Sequence, residues 1–213
     1  MDKKIERRMY DFDIRSERIG TGERILTGRP IVYNSRTDLF YFDEVIAPGA
    51  IDETGLKDVR FLVNHDEKMI PLARSRNNNE NSTMKLSVDE NGLNIDWIRL
   101  DTERNLTARA LESAVDRQDI TGMSFMFEVS DEEWLDVDSE HPTRIIRKIS
   151  NVFEVSAVTW PAYEDTEIDV RNKKALDNAK LTLESVRRSL DSDKDKLELE
   201  KEKLKWRLLS KRG

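Results

Sequence analysis

The sequence predicts a β-rich α+β domain followed by a long charged helix, and three features carry that expectation. The stretch Asp119–Val129 alternates apolar Met123, Phe125, Phe127 and Val129 with Ser124, Met126 and Glu128, the two-residue period of a half-buried strand. Met84, Leu86 and Val88, then Leu93, Ile95 and Trp97, repeat that period on either side of Asp89-Glu90-Asn91-Gly92, which reads as a β-hairpin. From Asn172 the character changes: Leu176, Leu183, Leu190, Leu197 and Leu204 recur every seven residues, with no proline and no glycine before Gly213. That spacing predicts a helix with a coiled-coil seam, so we divide the chain into a body, residues 1–171, and a charged helical tail, residues 172–213.

In chain order, residues 1–34 hold short apolar runs separated by glycines, as strands and turns do, and carry no functional signal. Residues 38–51 predict a strand and then a turn at Pro48-Gly49, with a short helix over Asp52–Lys57. In Val59–Asp66 the run Phe61-Leu62-Val63 reads as a buried strand that ends in Asn64-His65-Asp66. Leu72–Asn81, with its run of asparagines, is expected to be a mobile polar loop close to a binding cleft. Leu106, Ala110, Leu111, Ala114 and Val115 predict a helix that Asp101 or Thr102 caps and that runs to Asp116. After the serine strand, Glu128–Thr143 is acidic and reads as an exposed hairpin or loop. Arg144–Trp160 is again strand-like and is stopped by Pro161-Ala162-Tyr163. In the tail, the companion seam positions Ala179, Val186, Asp193, Glu200 and Arg207 begin apolar and become charged, so only its first part makes a good seam.

Composition narrows the chemistry. Charged and apolar residues each make up 37% of the 213 residues, no run of 18 apolar residues exists, and the opening MDKKIERRMYDFDI lacks the apolar segment of a secretory signal. A cytoplasmic protein with no membrane partner is expected. The absence of cysteine removes thiolate nucleophiles and zinc–sulfur sites, and His65 and His141 are the only imidazoles. From Asn172 onward 13 Lys and Arg face 8 Asp and Glu, a net of +5, which leaves −12 on the body out of the total of −7. Such a body repels phosphates, so no nucleic-acid partner is expected.

Ser124 becomes chemically interesting only beside a base, because a free hydroxyl is a weak nucleophile at neutral pH. His65, at a strand end, is better placed than His141 in the polar loop Asp138–Thr143, although a lone histidine is more often satisfied by a backbone carbonyl. Neither histidine has the spacing of a metal ligand, and no metal or cofactor is expected. Glu154 lies in the apolar run Val152–Val158, where a carboxylate is expensive to bury unless a donor such as an imidazole N–H faces it. An edge-strand glutamate facing water is the alternative. Gly122-Met123-Ser124 shares G-x-S with the nucleophile elbow but lacks the second glycine and a following helix, which disfavours an α/β-hydrolase and a hydrolase of small esters.

Three segments, VNHD at residues 63–66, TGMSFMF at 121–127 and FEVSAVTWPAY at 153–163, resemble in order and spacing the prohead maturation proteases of tailed bacteriophages, relatives of the herpesvirus assemblins. DEVIAPGAI and PLAR add to the resemblance, which covers most of residues 25–170. Ile51, where phenylalanine is usual, and Ala73, where glycine is common, depart from it and bear on local loop shape. The resemblance implies a closed antiparallel β-barrel surrounded by helices and a serine peptidase without cofactor or metal. It makes Ser124 the nucleophile, His65 the general base and then acid, and Glu154 the third member, with an oxyanion hole near Ala162-Tyr163-Glu164. It further implies action inside the procapsid, in the host cytoplasm, on the scaffolding domain of the major capsid protein, on internal scaffold and on the protease itself. Portal contact and self-association through the tail are further partners to consider. The alternative is an assembly or scaffolding protein of the same fold with little or no proteolytic activity.

Overall fold

The chain runs β1 (Lys4–Tyr10), β2 (Ile14–Arg18), β3 (Arg24–Val32), β4 (Arg36–Asp38), β5 (Asp43–Ile46), a 3-10 turn (Glu53–Leu56), β6 (Val59–Val63), β7 (Ala73–Ser75), β8 (Met84–Asp89), β9 (Gly92–Ile98), α1 (Leu106–Asp116), β10 (Gly122–Leu135), β11 (Thr143–Val158) and α2 (Val170–Leu209). The computed structural model describes residues 4–10, 14–20, 24–159 and 170–209.

β10 and β11 form the spine, because their β-branched and aromatic runs pair antiparallel from Gly122–Val158 to Leu135–Thr143. The acidic stretch between them is thus the far end of one long hairpin. β1 lies antiparallel on the other edge of β10, from Lys4 opposite Val129 to Tyr10 opposite Met123. β11 takes β5 as a parallel partner along Thr143–Ile146 and β6 along Glu154–Ala157, and Ile51 bridges Ile149 between them. Residues 43–63 therefore run along β11 in one direction, interrupted by the turn at Gly49 (φ 76°) and by the 3-10 turn. β2, β3, β9 and β8 make a second, antiparallel sheet. One core joins Phe61, Phe125, Phe127 and Val155 of the first sheet to Leu26, Ile31 and Ile95 of the second and to Leu111 and Val115 of α1.

This corrects the expected closed antiparallel barrel surrounded by helices. The larger sheet is mixed, the two sheets share no strand pairing among the described residues, and the α-helices described there are α1 and α2. Alternation fixes which side chains face a core but not which strands become neighbours.

Local chemistry explains most other departures. Gly92 (φ 139°) closes the β8–β9 hairpin where a Cβ would collide with the Ile31 carbonyl. A register shift between Lys85 and Leu86 then sends Ile98 into the core, while Trp97 stays half-buried with the Arg99 guanidinium 4.4 Å above its ring. α1 starts later than expected because Asn105 caps it, its Oδ1 accepting from the N–H groups of Thr107 (3.0 Å) and Ala108 (3.2 Å). Its buried stripe is Ala108, Leu111 and Val115, and Leu106 is exposed. The asparagine-rich loop is fastened to β8: the Asn78 side chain accepts from Leu86 N–H (2.9 Å) and donates to Leu86 O (2.7 Å), as a neighbouring strand would.

Near its start α2 packs on the body, where Leu176 and Ala179 meet Phe42, Leu39 and Trp134. Leu183 is also buried, whereas Leu190 and Leu197 are exposed. The side chains of Asp193, Leu204 and Arg207 lie outside the described residues, as do Trp160–Tyr163 at the expected strand stop. No helix among the described residues is long and apolar enough to cross a membrane.

Candidate active site

Ser124 stands on β10 directly opposite Ser156 of β11, and Met126 stands opposite Glu154. These four side chains share one face, and Phe125 and Val155 point from the other into the core. Between Met126–Glu154 and Phe127–Val152 the register shifts, so Phe153 is an extra residue. This bulge lets Val152 and Val155 both reach the core while Glu154 faces the serine.

His65 arrives from β6. That strand pairs with β11 through Val63–Ala157, and Asn64 N–H still donates to Ala157 O (2.9 Å). Asn64 (φ 52°) and His65 (φ 55°) then both take the left-handed conformation, a sharp turn that swings the imidazole back over β11. Asn64 anchors the turn by accepting from Thr159 N–H (2.9 Å) and donating to Thr159 Oγ1 (3.0 Å).

The result is a chain of contacts. His65 Nε2 lies 2.5 Å from Ser124 Oγ, and its Nδ1 is in short contact with Glu154 Oε1. Ser156 Oγ donates to Glu154 Oε2 (2.6 Å) and accepts from His65 N–H (3.2 Å), which ties the carboxylate to the histidine turn. Ser124 is 0% exposed, Glu154 2%, and the His65 side chain 9%. An aligned hydroxyl, imidazole and carboxylate out of water can pass the hydroxyl proton to the ring while the carboxylate stabilises the imidazolium. All three side chains singled out from the sequence meet here.

The half-buried strand expected around Ser124 is covered on both faces. Ser124 and Glu128 are both buried, and Ser150 and Asn151 hydrogen-bond the Glu128 carboxylate (2.7 and 2.6 Å). The part played by β1 is not legible in the sequence. Ser124 Oγ donates to the carbonyl of Arg8 (2.6 Å), and Arg7 on the same strand pairs with Glu67 in the histidine loop. The Arg8 side chain enters a buried ionic group, bonding Glu44 (2.5 and 2.7 Å) and Glu6 (2.5 Å). Arg144 binds the same Glu6 (2.7 Å) and Glu44 (2.8 Å) and also Glu132 (2.9 Å). Burial works against the ionised Glu6, but Arg8 and Arg144 outweigh it and hold its pKa at about 2. For Arg8, Glu44 and Glu6 overcome the opposing effect of burial and raise its pKa. The alternating charges of KIERR were the available signal.

His141 belongs elsewhere. Its Nε2 is 3.3 Å from Asp43 Oδ1 and 3.6 Å from Asp38 Oδ1, and these three side chains each offer a metal-ligand atom within 4.8 Å of one another. Arg36 also pairs with Asp43 (2.7 Å) at this β4–β5 hairpin. Ala162-Tyr163-Glu164, the expected oxyanion segment, lies outside the described residues.

Compared with known proteins, residues 10–181 match the family described as Caudovirus prohead serine protease. No curated protein and no solved structure matches the chain.

Proposed function

The chain belongs to the caudovirus prohead serine protease family, and on that premise we propose that Ser124, His65 and Glu154 are its catalytic triad. As a member, it is a serine peptidase of the phage prohead, a place that implies interaction with capsid proteins. The observation that supports the triad is the bridging position of His65, one ring nitrogen on Ser124 and the other on Glu154.

In the proposed reaction His65 Nε2 takes the Ser124 proton as Oγ attacks the carbonyl carbon of the scissile peptide. The tetrahedral intermediate collapses, His65 returns the proton to the leaving amine, and an acyl-enzyme remains. Water, deprotonated by His65, then releases the acid and restores the hydroxyl. Glu154 holds the ring orientation and balances the imidazolium throughout.

The proposed substrates are the scaffolding domain of the major capsid protein, internal scaffold and the protease itself. The basic tail fits a tether to an acidic scaffold helix during assembly in the host cytoplasm, and portal contact and self-association belong to the same proposal. Co-expression with the capsid protein, as wild type and as Ser124→Ala, tests the reading. Cleavage lost only in the variant is expected. Capsid protein left uncut by both would favour a scaffolding role.

A further inference from the structure

A nucleophile that is fully covered cannot meet a peptide, so some part of its cover has to leave. Among the described residues, Ser124 Oγ is hydrogen-bonded to His65 Nε2 and to the backbone of β1. β1 fills the edge of β10 along the whole of Met123–Val129, the edge on which an extended chain would add as a strand beside the serine. It also presents a peptide carbonyl to the hydroxyl, but through its oxygen: Ser124 Oγ donates to Arg8 O at 2.6 Å. A hydroxyl has one proton. While that proton is given to Arg8 O it is not available to His65 Nε2, so the contact both blocks the edge and turns the proton away from the base.

We propose that β1 is a strap occupying the substrate-strand position on β10, and that an extended peptide binds that edge only when β1 has left it. This rests on the reading of Ser124 as nucleophile. The departure of β1 breaks the Arg8–Glu44 and Glu6–Arg144 contacts. Glu6 and Arg8 leave together as one negative and one positive charge, and Arg144 and Glu44 remain paired with each other at 2.8 Å. On the opposite face β1 is tied to the histidine loop by Arg7 and Glu67, whose carboxylate is partly exposed. The substrate class follows from the edge: a main chain able to lie extended against at least Met123–Phe125, recognised largely through backbone hydrogen bonds.

The test exploits the absence of cysteine. Lys4 and Val129 are register partners five residues from Ser124, so Lys4→Cys with Val129→Cys can lock β1 down under oxidation and release it under reduction. The readout is phosphonylation of Ser124 by a small fluorophosphonate, followed by mass spectrometry of the intact chain and of the Ser124 peptide. The oxidised protein is expected to react at least about tenfold more slowly than the reduced, since its competent population is removed. A second variant, Glu67→Gln in the otherwise native chain, weakens the tie to β1 and is expected to label about threefold faster than wild type. Equal labelling at Ser124 in both redox states, or Glu67→Gln labelling no faster than wild type, overturns the strap while leaving the nucleophile in place. No labelling at Ser124 in any form, reduced and Glu67→Gln chains included, likewise overturns the strap as a detachable cover, and capsid-protein cleavage lost only in Ser124→Ala then keeps the nucleophile.

Discussion

Ser156 is opposite the proposed nucleophile yet acts on the other two members, since its hydroxyl gives a proton to Glu154 Oε2 and receives one from His65 N–H. Without it a buried carboxylate oxygen loses its donor and the strained Asn64-His65 turn loses a tie to β11. Ser156→Ala is therefore expected to lower kcat about 10–100-fold with KM nearly unchanged, because ring placement, not substrate binding, is disturbed. Steady-state kinetics on a capsid-protein substrate separates the two, and an unchanged kcat would show that Glu154 needs no such support. Ser124, His65 and Glu154 could be singled out in the sequence because VNHD, TGMSFMF and FEVSAVTWPAY resemble the prohead proteases, with local chemistry in support: a serine amid bulky neighbours, one of two histidines, a carboxylate in an apolar run. Ser156 gave no such signal, since a serine in a strand is unremarked, and its spacing of two from Glu154 was the sole hint. The Arg8 carbonyl was invisible, because every residue has one.

Among the elements, α2 shows how far a heptad can be trusted. The leucine spacing gave the helix, but only contact with the body decides which leucines are buried: Leu176 and Leu183 are covered and Leu190 and Leu197 are not. Leu176→Ala is expected to destabilise the fold by about 2–4 kcal/mol, whereas Leu197→Ala should stay within about 0.5 kcal/mol of wild type. Urea unfolding of the two variants measures this, and equal effects would mean that α2 is not docked through its first turns. For the same reason a chain ending at Arg171 is expected to melt lower than one ending at Ser189, so the tether proposal is better tested with the longer of the two. β11 gives the parallel lesson for strands. Simple alternation places Val152 and Glu154 on one face, and the extra residue Phe153 separates them, which no two-residue pattern can announce.

At the scale of the molecule, the β-rich class, the β8–β9 hairpin and the two long strands were legible because alternation and turn residues are local properties. The mixed sheet was not, since the parallel run of residues 43–63 beside β11 depends on partners about a hundred residues away. Buried and paired carboxylates give the whole assembly a common pH response. Arg8 and Arg144 hold Glu6 at about 2 against the opposing effect of its burial, from an ordinary value of 4.5. The Arg29 hydrogen bond lowers Asp89 to about 2, and the Arg74 hydrogen bond lowers Asp58. A depressed folded-state pKa means that the unfolded chain binds more protons between the two values, so stability is fully present above the unfolded pKa and is lost as pH falls toward the folded one. For Glu6 that window runs from 4.5 down to about 2. Thermal melting is thus expected to be nearly flat from neutral pH to about 4.5 and to fall steadily below it. Glu6→Gln isolates the part due to the β1 ionic group: the variant should melt below wild type at pH 6, and the gap should narrow as both are taken toward about pH 2.5. A gap that stays constant over that range would mean that Glu6 titrates alike in the folded and unfolded chain and that the Arg8–Glu6–Arg144 contacts do not hold its proton off.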